Sequence, residues 1–147
     1  MTSESGLCEE SRDVAARLRL VLLRLTRLLR RQGSAGLTPS QISALATLEE
    51  FGPLRISSLA THESISAPVA TRSVAIMEEQ GWLQRTDDPD DKRACLVEMT
   101  PFGREVLENI WHERIQGLSA RLDRLTARER AQVRAALGVL EKLVRED

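Results

Sequence analysis

A chain of 147 residues, 41% hydrophobic and 29% charged, has the length of one domain and the composition of a folded globular protein rather than a disordered one. With two Trp, two Phe and no Tyr, its core must come from Leu, Val, Ile and Ala, which favours helices packed on helices. The 21 Lys and Arg against 22 Asp and Glu leave a net charge of −1, so bulk charge gives no sign of a polyanionic partner, and no segment approaches the roughly 20 apolar residues of a membrane span.

Met1 to Glu10 is polar and acidic, unlike a secretory signal, and cytoplasmic residence is the expectation. Residues 11–31 predict a long helix, with Val14, Leu18, Val21, Leu22, Leu25, Leu28 and Leu29 at three- and four-residue spacing. Leu20 and Leu23 widen its apolar surface beyond one stripe, as expected of a helix that packs on its own domain and on a second subunit. Gly33 to Gly36 ends it. Thr38-Pro39-Ser40-Gln41 has the spacing of a capping box with proline in the first turn, Ile42, Leu45, Ala46 and Leu48 follow at helical period, and Phe51-Gly52-Pro53 is a stop.

Ile56 to His62 predicts a short helix with Ile56, Leu59 and Ala60 inward. A turn at Glu63-Ser64-Ile65 leads to a helix capped by Ser66 that runs to Gln80, with Ala70, Val74 and Met77 as its buried stripe and Gly81 as its stop. Residues 82–86 and 94–99 are strand candidates, joined by the turn-forming run Asp87 to Arg93 into a β-hairpin with a charged tip. Thr100-Pro101 opens a helix carrying Val106, Leu107, Ile110, Trp111, Ile115, Leu118 and Leu122. Thr126 and Glu129 form a capping box for the last helix, with Val133, Leu137, Leu140 and Leu143.

Helix, short helix, tight turn, helix, β-hairpin is the order of a winged helix-turn-helix, in which the second helix stands proud of the body and fits a DNA major groove. The expected fold class is mainly α (α+β winged helix): one domain over 1–147, with the winged helix-turn-helix at 37–100 and dimerisation helices at 11–35 and 101–147. The first turn of the second helix offers Ser66, Ala67, Pro68, Val69, Thr71 and Arg72. Ala67 and Pro68 are small enough for close approach, Val69 can meet a thymine methyl, and Arg72 can reach guanine or phosphate. Ser40 and Gln41 sit at a helix N-terminus, a favourable place for phosphate. Residues 55–100 nevertheless form the most acidic third, so affinity must rest on placement, and Asp87, Asp88 and Asp90 are expected to point away from phosphate.

The run Asp88-Pro89-Asp90-Asp91-Lys92-Arg93, followed by Leu96-Val97-Glu98-Met99-Thr100-Pro101-Phe102-Gly103, resembles the wing signature of the multiple antibiotic resistance regulator (MarR) family. Ser66 to Arg72 is similar to that family's recognition-helix opening, and Leu37 to Gln41 to its second-helix start. The resemblance implies that Arg93 enters the minor groove, that Asp91 orients the Arg93 guanidinium, and that Lys92 touches phosphate. Lys92 stands where Arg is commoner and Met99 where Leu is usual; the first loses a planar fork and the second conserves volume. The resemblance also implies a homodimer on a palindromic double-stranded operator, with half-sites about one turn apart, and a small aromatic ligand between reader and dimer helices that releases the DNA. Trp111 and Phe51 can line such a cleft, although core packing is the plainer reading of both.

Other classes find less support. His62 and His112 are the only histidines, and no metal cluster, phosphate loop or nucleophile–base set is legible, so no enzyme, metal or cofactor is expected. A helical protein–protein interaction module has no need of the charged hairpin. An oxidant-sensing regulator acting through Cys8 is the remaining alternative; Cys8 lies upstream of the expected first helix with nothing basic immediately beside it.

Overall fold

The structure, a computed structural model, describes residues 3–91 and 93–145, with side chains described from residue 9 onward. Helix α1 (Ser3–Arg30) is followed by α2 (Pro39–Phe51), the short strand β1 (Leu54–Arg55), α3 (Ile56–His62), α4 (Ala67–Glu79), β2 (Leu83–Asp87), β3 (Cys95–Met99), α5 (Pro101–Leu122) and α6 (Ala127–Val144). Both expected capping boxes form. The hydroxyl of Thr38 accepts from the Gln41 amide while the Gln41 side chain accepts from Thr38, and Thr126 and Glu129 repeat the exchange.

The three strands are antiparallel in the order β1-β3-β2. Leu83 pairs with Met99 and Asp87 with Cys95, while Leu54 and Arg55 face Val97 and Leu96. Strand β1 is absent from the sequence reading because two residues hold no alternation to read. Its pairing with β3 is what makes it a strand.

Helix α1 begins at Ser3 rather than Ser11, which corrects the placement of Cys8: its backbone lies within the helix, not upstream of it. Extending a nucleated helix costs little, which is why it can run on past the apolar stripe.

The core gathers Leu45 from α2, Leu59 from α3, Val74 and Met77 from α4, Val97 from β3, and Leu107 and Ile110 from α5, all essentially fully buried. Residue 103 shows why the signature glycine stands after Thr100-Pro101. A Cβ there would collide with the Trp82 carbonyl oxygen. The first turn of α5 therefore lies directly on the start of the wing, locked by the Thr100 hydroxyl, which donates to the Gly81 carbonyl at 2.6 Å and accepts from the Gly103 amide at 3.0 Å.

Phe51 departs from expectation. It is exposed at the end of α2 and stacks on His62 with ring centroids 4.3 Å apart, so it joins neither the core nor a cleft with Trp111. Trp111 is half-buried and packs against the core. Among the described residues α6 buries none, and α1 leaves Val14, Leu20, Val21, Leu22, Leu23 and Leu25 exposed. No helix among the described residues is long and apolar enough to cross a membrane.

Candidate nucleic-acid interface

Helix α4 is held from beneath by its apolar stripe. Ala70, Val74 and Met77 are buried, with α3 packed against α4, whereas Ser66, Ala67, Pro68, Val69, Thr71 and Arg72 are all exposed. The turn before it is fixed by Ser64 at a φ of 53° and by the Ile65 amide donating to the Ala60 carbonyl at 3.0 Å. Ser66 occupies the N-cap position with extended backbone, yet its side chain makes no capping bond. That corrects the capping role expected of its hydroxyl. Pro68 removes one amide of the first turn, and the Ser66 hydroxyl does not take up the remaining one, that of Val69.

Along this outer turn Val69 is 53% exposed. The Thr71 hydroxyl donates to the Ala67 carbonyl at 2.8 Å, which commits its proton to the helix. Among the described residues Arg72 makes no ion pair or side-chain hydrogen bond within bonding distance. An exposed, unpaired guanidinium on a projecting helix is a suitable group for a base edge or a phosphate.

Ser40 and Ala44 of α2 line a cavity of about 100 Å³ with Val69, Ser73 and Val74 of α4 and Glu63 beyond α3. The N-terminus of α2 is therefore a neighbour of the opening of α4. Gln41 is half-buried, and its carbonyl oxygen is committed to the Thr38 amide at 2.8 Å.

The wing is a closed turn built on Asp88. The Asp88 amide donates to the Ala94 carbonyl, its carbonyl accepts from Asp91, and the Ala94 amide returns to the Asp91 carbonyl at 2.8 Å. One carboxylate oxygen of Asp88 accepts from the Asp90 amide at 2.9 Å and the other from Arg55 Nε at 2.7 Å. These bonds, first the Asp90 amide and then Arg55, hold the Asp88 carboxyl below the usual carboxylate range, and Asp88 in turn raises Arg55. Arg93 is exposed, and Lys92 lies outside the described residues.

Two expectations for this segment need correction. Asp91 accepts from the backbone amide of Arg93 at 3.0 Å, not from its guanidinium, and among the described residues no Asp91–Arg93 ion pair forms. Asp91 shapes the turn as an Asx-type contact, a two-residue reach that a short carboxylate makes readily. Asp88 does not simply turn aside from phosphate. It is buried, with a partner in β1 that sequence reasoning missed, since nothing local to Arg55 marks it.

Other acids near the sheet are also engaged. Glu78 pairs with Arg85 at 2.9 Å, and Glu98 accepts from Gln84 at 2.6 Å. The excess negative charge of residues 55–100 is thus partly internal, while Asp87, Asp90 and Asp91 remain exposed.

A second concavity of about 290 Å³ separates α1 from α2 and α5, lined by Leu29, Arg30, Pro39, Ile42, Trp111 and Arg114 among others. The Arg114 guanidinium lies 5.2 Å from the Trp111 ring centroid, and its buried Nε has no hydrogen-bond partner among the described residues. Burial first, and Arg30 second, lower its pKa.

Residues 37–95 match the family model described as MarR family. A helix-turn-helix (HTH)-type transcriptional regulator of Mycobacterium tuberculosis, MT0903.1, is 34% identical over 134 residues, covering 90% of this chain and 94% of that protein. Wild-type MarR from Escherichia coli in its apo form superposes with a TM-score of 0.72 at 25% identity, over 89% of this chain and 96% of that one. Transcriptional regulator Tm0710 from Thermotoga maritima gives a TM-score of 0.70 at 25% identity, with 92% and 93% covered.

Proposed function

The chain belongs to the MarR family of helix-turn-helix transcriptional regulators, and from that premise we propose that it acts as a homodimer placing two copies of α4 in successive major grooves of a palindromic duplex. One observation carries this reading: the first turn of α4 is exposed while the opposite face of the same helix is buried. Ser66, Ala67, Pro68, Val69, Thr71 and Arg72 meet base edges and nearby backbone. Arg93 of the wing enters the adjoining minor groove beside Lys92, Asp91 shapes the turn that presents it, and Ser40 and Gln41 approach phosphate. The unpartnered apolar faces of α1 and α6 support the dimer.

The same reading makes the protein a cytoplasmic repressor released by a small aromatic ligand. The cleft beside Trp111 and Arg114 joins α1 to the reader, and a flat molecule wedged there can shift one against the other.

Selection of bound duplexes from a random pool tests the reading. The expected result is a palindrome with half-sites about one turn apart. On that duplex Arg72→Ala and Arg93→Ala are each expected to cost about 1–3 kcal/mol. With so many acids in the reader, the salt dependence should be shallower than the slope of about −10 of a strongly basic repressor. Binding without sequence preference, or unchanged by both substitutions, overturns it.

A further inference from the structure

We infer that Arg55 is a positioning residue for the wing: its guanidinium, bonded to the buried Asp88 carboxylate across the sheet, fixes where the turn carrying Arg93 stands relative to α4. The inference rests on the reading above, in which Arg93 of the wing meets DNA.

Strand β1 is two residues long and pairs only with β3, at Leu96 and Val97. The last pair of β2 with β3 is Asp87 with Cys95, and the chain leaves the sheet at Asp88. Arg55 therefore stands on one outer strand of the three-stranded sheet, and Asp88 immediately beyond the wing-ward end of the other. Their side chains close the span with two contacts, Nε at 2.7 Å and Nη2 at 2.5 Å from the same carboxylate oxygen. Charge-assisted contacts of this kind fix an angle as well as a distance.

Asp88 is 4% exposed, the one charged residue that is buried among the described residues. Its other oxygen holds the Asp90 amide, and its backbone holds both ends of the turn through Ala94 and Asp91. Among the described residues, each bond that shapes the wing turn thus either ends on Asp88 or closes through Asp91. Beyond the hairpin's own ladder, the side-chain tie from this turn to the body among the described residues runs to Arg55. Arg55 is also the residue immediately before α3, and α3 carries the turn into α4. A single side chain thereby links the frame of the recognition helix to the base of the wing, which is what two-point binding to adjoining grooves requires. A hairpin without that link can pivot on its two-stranded base.

The experiment uses the full-length protein and a duplex selected by the wild type. Affinity is measured for wild type, Arg55→Gln, Arg93→Ala and the double variant, together with amide hydrogen exchange of the free proteins. Arg55→Gln is expected to weaken binding by about threefold or more in the wild-type background and by less than about twofold once Arg93 is gone. Exchange at Asp90, Asp91, Arg93 and Ala94 should quicken while core amides of α2 and α5 keep their protection. Arg55→Lys, which keeps the charge but not the planar fork, should recover part of both effects.

Equal losses in the two backgrounds would overturn the inference and make Arg55 a DNA contact in its own right, as would unchanged exchange in the wing. If Arg93→Ala alone leaves affinity intact, the wing reading falls, and the exchange measurement still decides whether Arg55 holds the turn. Should Arg55→Gln unfold the chain, Asp88→Asn keeps an oxygen for the Asp90 amide, removes the charge that holds Arg55, and supports or overturns the same point.

Discussion

The winged segment and the terminal helices use similar residues to opposite ends. In residues 37–100, Leu45, Leu59, Val74, Met77 and Val97 disappear into one core shared with α5. In α1 and α6 the same kinds of side chain lie on the surface: Val21 and Leu137 are each 51% exposed. A half-exposed leucine forgoes much of the roughly 1.5–3 kcal/mol of full burial, and a row of them does so repeatedly. The reader is finished by its own chain, whereas the terminal helices present a face that a second copy can finish. Folding and assembly are thus divided between regions.

The largest expected effect falls inside the reader. Leu45→Ala empties a fully buried site and should cost about 2–5 kcal/mol in denaturant unfolding, with DNA binding lost in parallel. Leu137→Ala should cost far less in the isolated subunit, and equal costs for the two would dissolve the contrast.

Next comes assembly. A Val21→Glu, Leu137→Glu variant is expected to sediment near 16.4 kDa rather than about twice that mass, and to lose about a hundredfold or more in operator affinity as two linked half-sites become one. A wild-type monomer at micromolar concentration would remove the basis for this prediction.

Smaller effects separate stability from contact at two helix starts. Thr126→Ala removes a formed capping box and should cost about 1 kcal/mol of stability. Ser66→Ala removes a hydroxyl that caps nothing; its melting point should hardly move while operator affinity falls. A stability loss as large as that of Thr126→Ala would return Ser66 to a structural role.

The smallest effect is on acid stability. Asp88 and Glu129 have carboxyls held below their usual range, Asp88 by the Asp90 amide and Arg55, Glu129 by the Thr126 amide and hydroxyl. Their contributions are complete at neutral pH and are lost only as pH falls below about 4, through those depressed values. Replacing Asp88 by Asn should flatten unfolding curves in that window and leave the slope between pH 6 and 8 unchanged.

Much of the reader was legible from local pattern. Ala70, Val74 and Met77 recur on one side of a helix, so the opposite side, with Val69 and Arg72, had to face out. Thr38 with Gln41 and Thr126 with Glu129 announce helix starts because each box closes within three residues. The wing run from Asp88 to Arg93 identifies a hairpin tip, although its internal bonding differs from the expected one: a short carboxylate at Asp91 reaches the Arg93 amide more readily than its distant guanidinium.

What the chain's pattern could not reveal were features whose partners are remote. Arg55 and Asp88 lie 33 positions apart, and their meeting depends on the register of both outer strands against β3. Strand β1 exists only through that register, Phe51 found His62 rather than the core, and the reach of α1 back to Ser3 placed Cys8 inside a helix. Periodicity, caps and turn residues act over a few bonds, so the order and facing of helices was settled by the sequence itself. Which charge is buried, what holds the wing, and which apolar faces stay uncovered depend on the mutual packing of whole elements, and only the tertiary structure decided those.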